Sequence, residues 1–141
     1  MKYRIDLTTE QLSVIQKACE FYSRFLAGQW EIPDELQWKE YEIQDKYDGF
    51  WGKRNRIEQL FKEQKSEFMR LHLNESYGIG SENLHESAKV CYDIYRVILE
   101  QFAKEYNEKN PDNNNYSVYD HPGISYSKQG RIKIETIKNE E

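Results

Sequence analysis

The chain has 141 residues, which is enough for one domain with a single hydrophobic core. Its formal net charge is −5, so general binding to DNA or to an anionic membrane, which requires a surplus of Lys and Arg, is not expected. Aromatic residues make up 14% of the chain, which is unlike the composition of a disordered protein. We therefore predict one folded domain over residues 1–141 with a small core rich in aromatic rings.

The first predicted elements are a strand and a helix. Residues 3–7 alternate between apolar and charged side chains, which is typical of a strand with one buried face. Thr8 and Gln11 then form a capping-box pattern, and apolar residues recur at helical spacing up to Leu26. Gly28 is expected to end this helix. The start of the chain lacks a signal-peptide core and no apolar run approaches the roughly 18 residues of a membrane span, so we expect a cytoplasmic protein.

Residues 29–52 form an aromatic-rich variable segment that contains all three tryptophans of the chain. Pro33 could open a short helix over residues 34–44, and we expect the segment to lie on the surface. An amphipathic helix is predicted over residues 53–73. Its predicted inward residues are Ile57, Leu60, Phe61, Phe68 and Leu71, and its predicted outward residues are Lys62, Glu63, Lys65 and Glu67.

The clearest helix follows a Gly-Ile-Gly turn at residues 78–80. Asn83 and Glu86 have the spacing of a capping box, and an apolar stripe runs from Ala88 to Phe102. Cys91 on this stripe and Cys19 on the first helix have no metal-ligand spacing. We expect two buried free thiols, with a disulfide as the less favoured alternative.

The rest of the chain predicts turns and strands. Residues 107–115 are rich in Asn and predict a flexible loop, and short strands are expected over residues 116–119, 124–127 and 131–137. Gln129 and Gly130 would join the last two strands. The predicted fold class is α+β, with an N-terminal strand, three main helices and a C-terminal antiparallel β-hairpin that together form a small sheet covered by helices.

No catalytic motif is present. The three histidines have no metal-binding spacing, and the chain has neither a nucleophile-elbow motif nor a phosphate-binding loop with lysine. We therefore expect no metal site and no cofactor, and hydrolase or kinase chemistry has no support in the sequence. The glycine turn at residues 78–80 could expose amides to an anion, but a tight turn between two helices is the favoured interpretation.

Several charged residues have both a ligand-binding and a structural interpretation. Arg54 and Arg56 follow an aromatic pair and could bind phosphate, or they could balance neighbouring acids at a helix start. Asp93 interrupts an apolar stripe, so it either lies solvated at the edge of the stripe or binds a hydroxyl or amine of a ligand. Arg24 lies in the last turn of the first helix, where the helix dipole favours a cation, and it could also serve at a subunit contact.

Four segments carry a resemblance to a known family. They are L-T-T-E-Q-L at 7–12, Y-S-R-F-L-A-G-Q-W at 22–30, N-E-S-Y-G-I-G-S at 74–81 and A-K-V-C-Y-D-I-Y-R-V-I at 88–98. This combination resembles small phage proteins of the Thoeris anti-defence family, sponge type. The first helix and the central stretch match well, whereas residues 31–56 and the C-terminus match poorly.

The resemblance implies a non-enzymatic sponge that sequesters cyclic ADP-ribose-type signals, and in some members cyclic oligonucleotides, in the host cytoplasm. It also implies a homodimer or a hexamer with ligand pockets between subunits. The implied pocket residues are Arg54, Arg56, Tyr77, Asp93 and Arg131, for adenine, pyrophosphate and ribose. Arg24 and Gln29 would line a second pocket at a higher-order interface. The C-terminal S-K-Q-G-R-I-K matches no pattern of the family, so Arg131 has the weakest basis.

Two other functions fit the sequence. The chain could be an acidic protein-protein interaction module that inhibits a host defence protein, with the tryptophans of residues 30–51 as its aromatic anchor. It could also be an enzyme that degrades the signal, which would release an altered nucleotide rather than the original.

Overall fold

The computed structural model describes residues 3–30, 49–111 and 124–137, and for residues 49–54 it describes the backbone alone. These ranges contain three helices, α1 (Thr9–Leu26), α2 (Gly49–Met69) and α3 (Glu86–Lys109). The chain divides into two compact units. The first unit is Met1–Ser23 with His85–Glu141, and the second unit is Arg24–Leu84.

The predicted α+β fold class is wrong. Residues 3–8 and 131–137 form no strand, and residues 124–130 form bends and turns, so the described part of the chain is mainly α. Ile5, expected on a buried strand face, is 73% exposed. Alternation shows which side chains could share a face, but a strand also needs a paired neighbour, which a local pattern does not supply. The strand predicted over residues 116–119, the helix predicted over 34–44, most of the segment 29–52 and residues 112–115 of the predicted loop lie outside the described residues. The loop prediction is wrong for residues 107–109, which belong to α3.

Both ends of α1 follow the prediction. The Thr8 amide donates to Gln11 Oε1 at 2.9 Å and the Gln11 amide donates to Thr8 Oγ1 at 3.2 Å, which is the reciprocal capping box. At the other end Gly28 has a φ of +81°, and the amides of Gly28 and Gln29 donate to the carbonyls of Phe25 and Arg24. This is a Schellman motif, which satisfies two of the last carbonyls of the helix.

The second helix begins and ends four residues earlier than predicted. It covers Gly49–Met69 rather than 53–73, and Arg70 directly after it has a φ of +54°. Two predictions for its faces are wrong. Leu60 and Phe68, expected inward, are exposed, whereas Lys65, expected outward, is only 2% exposed.

The third helix starts later than the capping-box pattern predicts. Its N-cap is His85, whose Nδ1 accepts from the Ser87 amide at 3.2 Å. The predicted capping box of Asn83 and Glu86 is therefore wrong. The Glu86 carboxylate instead accepts from the Lys128 amide. A helix start needs only one side-chain acceptor near its free amides, and several residues of this segment could provide it.

In the first unit, α1 packs on α3. Ala88 and Ile98 are fully buried, and Ser23 Oγ donates to the Ala88 carbonyl at 2.9 Å. One turn away along each helix, the thiols of Cys19 and Cys91 contact each other. Both cysteines are free, as predicted, although they are half-buried rather than fully buried. Burial, followed by the neighbouring Cys91 thiol, raises the pKa of Cys19 to about 11.

In the second unit, Trp30 forms the aromatic centre. Its ring stacks on Phe25 with centroids 4.8 Å apart and meets Phe61 edge-on at 6.4 Å. The indole N–H donates to the Phe25 carbonyl at 2.8 Å, so the one polar atom of this buried side chain is satisfied. Trp30 is therefore a core residue of its unit.

Candidate functional site

Asp93 fixes a loop of its own chain. Its carboxylate accepts from the Tyr126 amide at 3.0 Å, from the Ser127 amide at 2.9 Å and from the Ser125 hydroxyl. The side chain is 4% exposed, and the ring of Tyr126 packs edge-on against Tyr92 on the same helix. The carboxylate predicted to bind a ligand is thus engaged by three groups of the loop 125–127.

The hydrogen bonds also determine the ionisation of this group. Burial by itself raises the pKa of Asp93, but the donors Ser125, Tyr126 and Ser127 favour the charged form more strongly, so the pKa falls below its ordinary value. Asp93 is therefore a carboxylate at neutral pH. Its negative charge fits the backbone amides that contact it. The expectation that Asp93 lies solvated at the edge of the stripe is wrong, because the residue is buried.

Arg131 lies beside α3. Its guanidinium contacts Glu100 at 2.8 Å, and Lys104 contacts the other oxygen of the same carboxylate at 2.8 Å. Lys104 is 54% exposed at its side chain and Arg131 is 28% exposed, whereas Glu100 is 20% exposed. The shared carboxylate thus holds two cations side by side and is less exposed than either of them.

These residues border a cleft of about 440 Å³ between α3 and the segment 131–135. That volume is within the range of small-molecule sites. The lining combines three cations, two carboxylates, one amide and three aliphatic side chains: Lys104, Arg131, Lys133, Glu100, Glu135, Gln101, Val97, Ile132 and Ile134. The cleft is therefore locally positive by one charge in a chain of net charge −5.

The remaining predicted site residues lie in the second unit. Arg56 is an exposed residue of α2, and the side chain of Arg54 lies outside the described part. Tyr77 is half-buried, and its amide donates to the Ala27 carbonyl at 2.8 Å. Arg24 is exposed in the last turn of α1, and its carbonyl accepts from the Gln29 amide. Asp93 and Arg131 belong to the first unit, so the predicted pocket residues are divided between two units.

The glycine turn is a backbone feature. The Ser81 amide donates to the Gly78 carbonyl at 2.9 Å, and the Leu84 amide donates to the Ser81 carbonyl at 3.3 Å. Consecutive turns therefore use amides that an anion would otherwise bind, which favours the plain-turn interpretation of residues 78–81. Helix α3 itself begins only at Glu86.

The sequence did not predict the hydrogen-bonding partners of Asp93 or of Arg131. Ser125 and Ser127 were assigned to a strand, although a Ser-x-Ser pattern offers hydroxyl and amide donors to a distant carboxylate. Glu100 and Lys104 are four residues apart on α3, a spacing that predicts a contact between them but gives no sign of Arg131.

Within the described ranges, no group of three or more His, Cys, Asp or Glu side chains could hold a metal ion. The helices of those ranges also lack the length and apolar character needed to cross a bilayer. In the comparisons with known proteins, no family model, no curated protein and no solved structure matches the chain.

Proposed function

We propose that the protein is a phage-encoded sponge that binds a cyclic ADP-ribose-type signal in the host cytoplasm and holds it without chemical change. The observation that carries this proposal is the cleft along α3, where Arg131 and Lys104 lie side by side on one carboxylate. Guanidinium and ammonium groups are the usual partners of phosphate oxygens in proteins. The resemblance to the anti-defence family supplies the class of ligand.

The cleft suits a phosphorylated ligand for two reasons. Its two paired cations are more exposed than the carboxylate between them, so a pyrophosphate could approach the cations from the open side without displacing Glu100. Among the described residues, the lining of the cleft contains no aromatic side chain. A base would therefore contact the aliphatic side chains of Val97, Ile132 and Ile134. Binding alone needs a shaped site and no reacting group.

Subunit pockets formed by Arg54, Arg56 and Tyr77, a second pocket with Arg24 and Gln29, and assembly as a homodimer or hexamer remain part of the proposal. They follow from the resemblance and not from a contact between described residues. The alternative of a protein-docking surface around the tryptophans loses one of its anchors, because Trp30 is buried among Phe25 and Phe61.

Isothermal titration with a panel of cyclic ADP-ribose isomers and cyclic oligonucleotides tests the proposal. We expect at least one member to bind, and we expect the same intact molecule after the loaded protein is denatured by heat. Absence of binding across the panel would contradict the sponge function, and recovery of an altered nucleotide would indicate an enzyme instead.

A matched pair of lysine variants tests the cleft itself. Lys104→Ala removes a cleft cation, whereas Lys109→Ala removes an exposed cation from the last turn of the same helix with the same change in net charge. A charge-assisted hydrogen bond contributes about 1.5–3 kcal/mol, so we expect Lys104→Ala and Arg131→Ala to weaken binding by about tenfold or more. Equal affinities in all three variants would place the ligand elsewhere.

A further inference from the structure

Two segments of the first unit carry exposed, alternating apolar side chains. The N-terminal arm is residues 3–7, and the C-terminal arm is residues 131–137. Ile5 and Leu7 are 73% and 41% exposed, Ile132 is 38% exposed, and Ile134 is half-buried. Neither arm forms a strand in the single chain. An exposed segment with this alternation is a common site for the addition of a strand from another chain.

The two arms are complementary in one antiparallel register. In that register four consecutive pairs match, two of them by opposite charge and two by apolar character. The four pairs are Arg4 with Glu135, Ile5 with Ile134, Asp6 with Lys133, and Leu7 with Ile132. A shift by one residue would oppose charges to isoleucines and reverse the face of every side chain.

The charged members of these pairs are available. Among the described residues, Arg4, Asp6, Lys133 and Glu135 make no hydrogen bond or ion pair. Opposite charges placed directly across an antiparallel pair stabilise it, as do paired β-branched and aliphatic side chains. Four successive favourable pairs specify one partner sequence, and that sequence is the other arm of the same chain.

We propose that the N-terminal arm of one copy pairs with the C-terminal arm of a second copy. A two-fold axis would repeat the exchange, so each dimer would contain two such pairings, and the same surfaces would be used by both copies. The pairing would cover Ile5, Leu7 and Ile132. It would also give backbone partners to residues 4–7 and 132–135, which have none within the described ranges. The C-terminal arm also lines the cleft along α3 through residues 132–135, so the N-terminal arm of the partner would lie next to that cleft.

Cysteine cross-linking between two different chains tests the register. In a background with Cys19→Ala and Cys91→Ala, one chain carries Ile5→Cys and the other carries Ile134→Cys, so that a disulfide between the two sites can form only between copies. Opposed residues of an antiparallel pair have Cα atoms about 4.5–5.5 Å apart, which is within the range that a disulfide spans. We expect a mixed dimer on mild oxidation of the mixture.

The control replaces Ile5→Cys by Arg4→Cys, which puts the thiol on the opposite face, and should give much less mixed dimer. A single chain carrying both Ile5→Cys and Ile134→Cys should also cross-link as a dimer. If that chain cross-links only within itself, or if the control pair links as readily as the registered pair, the proposal is wrong.

Charge exchange measures the same pairing without cysteines. Asp6→Lys and Lys133→Asp should each raise the dimer dissociation constant by about tenfold or more in sedimentation velocity, because each variant places like charges opposite one another in both copies of the pairing. The double variant restores opposite charges and should recover most of the affinity. A wild-type chain that stays monomeric, or a double variant as weak as the singles, would overturn the proposal whatever the outcome of the nucleotide titration.

Discussion

The two units of the chain each fix an irregular segment with one buried charge, and the two charges have opposite sign. In the first unit Asp93 accepts from the backbone and the hydroxyl of loop 125–127. In the second unit Lys65 Nζ donates to the carbonyls of Leu73 and Glu75 at 2.7 and 2.8 Å. Both side chains are almost completely buried, at 4% and 2% exposed.

The difference follows from what each side chain can do. A carboxylate only accepts, so it gathers amides, whereas an ammonium only donates, so it gathers carbonyls. In both cases the backbone groups of a segment with few apolar side chains are satisfied by a helix that is packed in the core of its unit. In each unit, therefore, the buried charge of a helix is hydrogen-bonded by a segment of the same chain, and its position needs no ligand to explain it.

The largest effect is expected from Asp93→Ala. The change would leave the buried Ser127 amide, the partly buried Tyr126 amide and the Ser125 hydroxyl without their acceptor. We expect a loss of about 3–5 kcal/mol in the free energy of unfolding. Urea denaturation would measure the loss, and Glu108→Ala, an exposed acid on the same helix, is the matched control. Hydrogen exchange should rise at residues 125–128 while residues 72–77 keep their protection. A uniform rise over both segments would show that the two loops are not fixed independently.

Lys65→Met should have the next largest effect and the reverse pattern. The thioether fills similar space but gives the Leu73 and Glu75 carbonyls no donor, and a cost of about 2–4 kcal/mol is expected. Lys62→Met on the same helix breaks only a partly exposed pair with Glu58 and should cost about 1 kcal/mol or less. If both methionine variants are equally stable, the buried ammonium is not what fixes the segment 73–75.

Gly28→Ala should destabilise the second unit by about 1–3 kcal/mol. Gly28 has a φ of +81°, and a Cβ there would lie 2.9 Å from Leu71 Cδ1. Gly78→Ala is the control, because a Cβ at Gly78 meets nothing within 4 Å. Thermal melting of the two variants should separate them clearly, and a melting temperature for Gly28→Ala equal to that of the wild type would refute the close packing of this turn.

A smaller effect is expected from acid. The pKa of Asp93 lies below its ordinary value of 3.8 in the folded protein, so the folded state binds this proton less tightly than the unfolded state does. The stability that Asp93 contributes is therefore complete above pH 3.8 and is lost as the pH falls through the lower folded value. Urea midpoints measured down this range should fall more steeply for the wild type than for Asp93→Asn. Parallel slopes would mean that Asp93 keeps an ordinary pKa when folded.

How far the sequence predicted these features depended on the distance between the partners along the chain. The Thr8–Gln11 capping box and the Gly28 stop were predicted correctly, because all of their partners lie within a few residues. The choice of His85 rather than Asn83 as the N-cap of α3 was not predicted, since several acceptors compete there. The partners of Asp93 are more than thirty residues away, and no local pattern shows them.

The sequence by itself determined the three helices and both ends of α1, since apolar spacing and caps are local properties. Tertiary structure decided that residues 3–8 and 131–137 form no strand, that Lys65 is inside its unit, and that Arg131 joins Glu100 and Lys104 at one cleft. These outcomes depend on which distant groups satisfy each other's hydrogen bonds and charges. Such partners are chosen only when the helices pack.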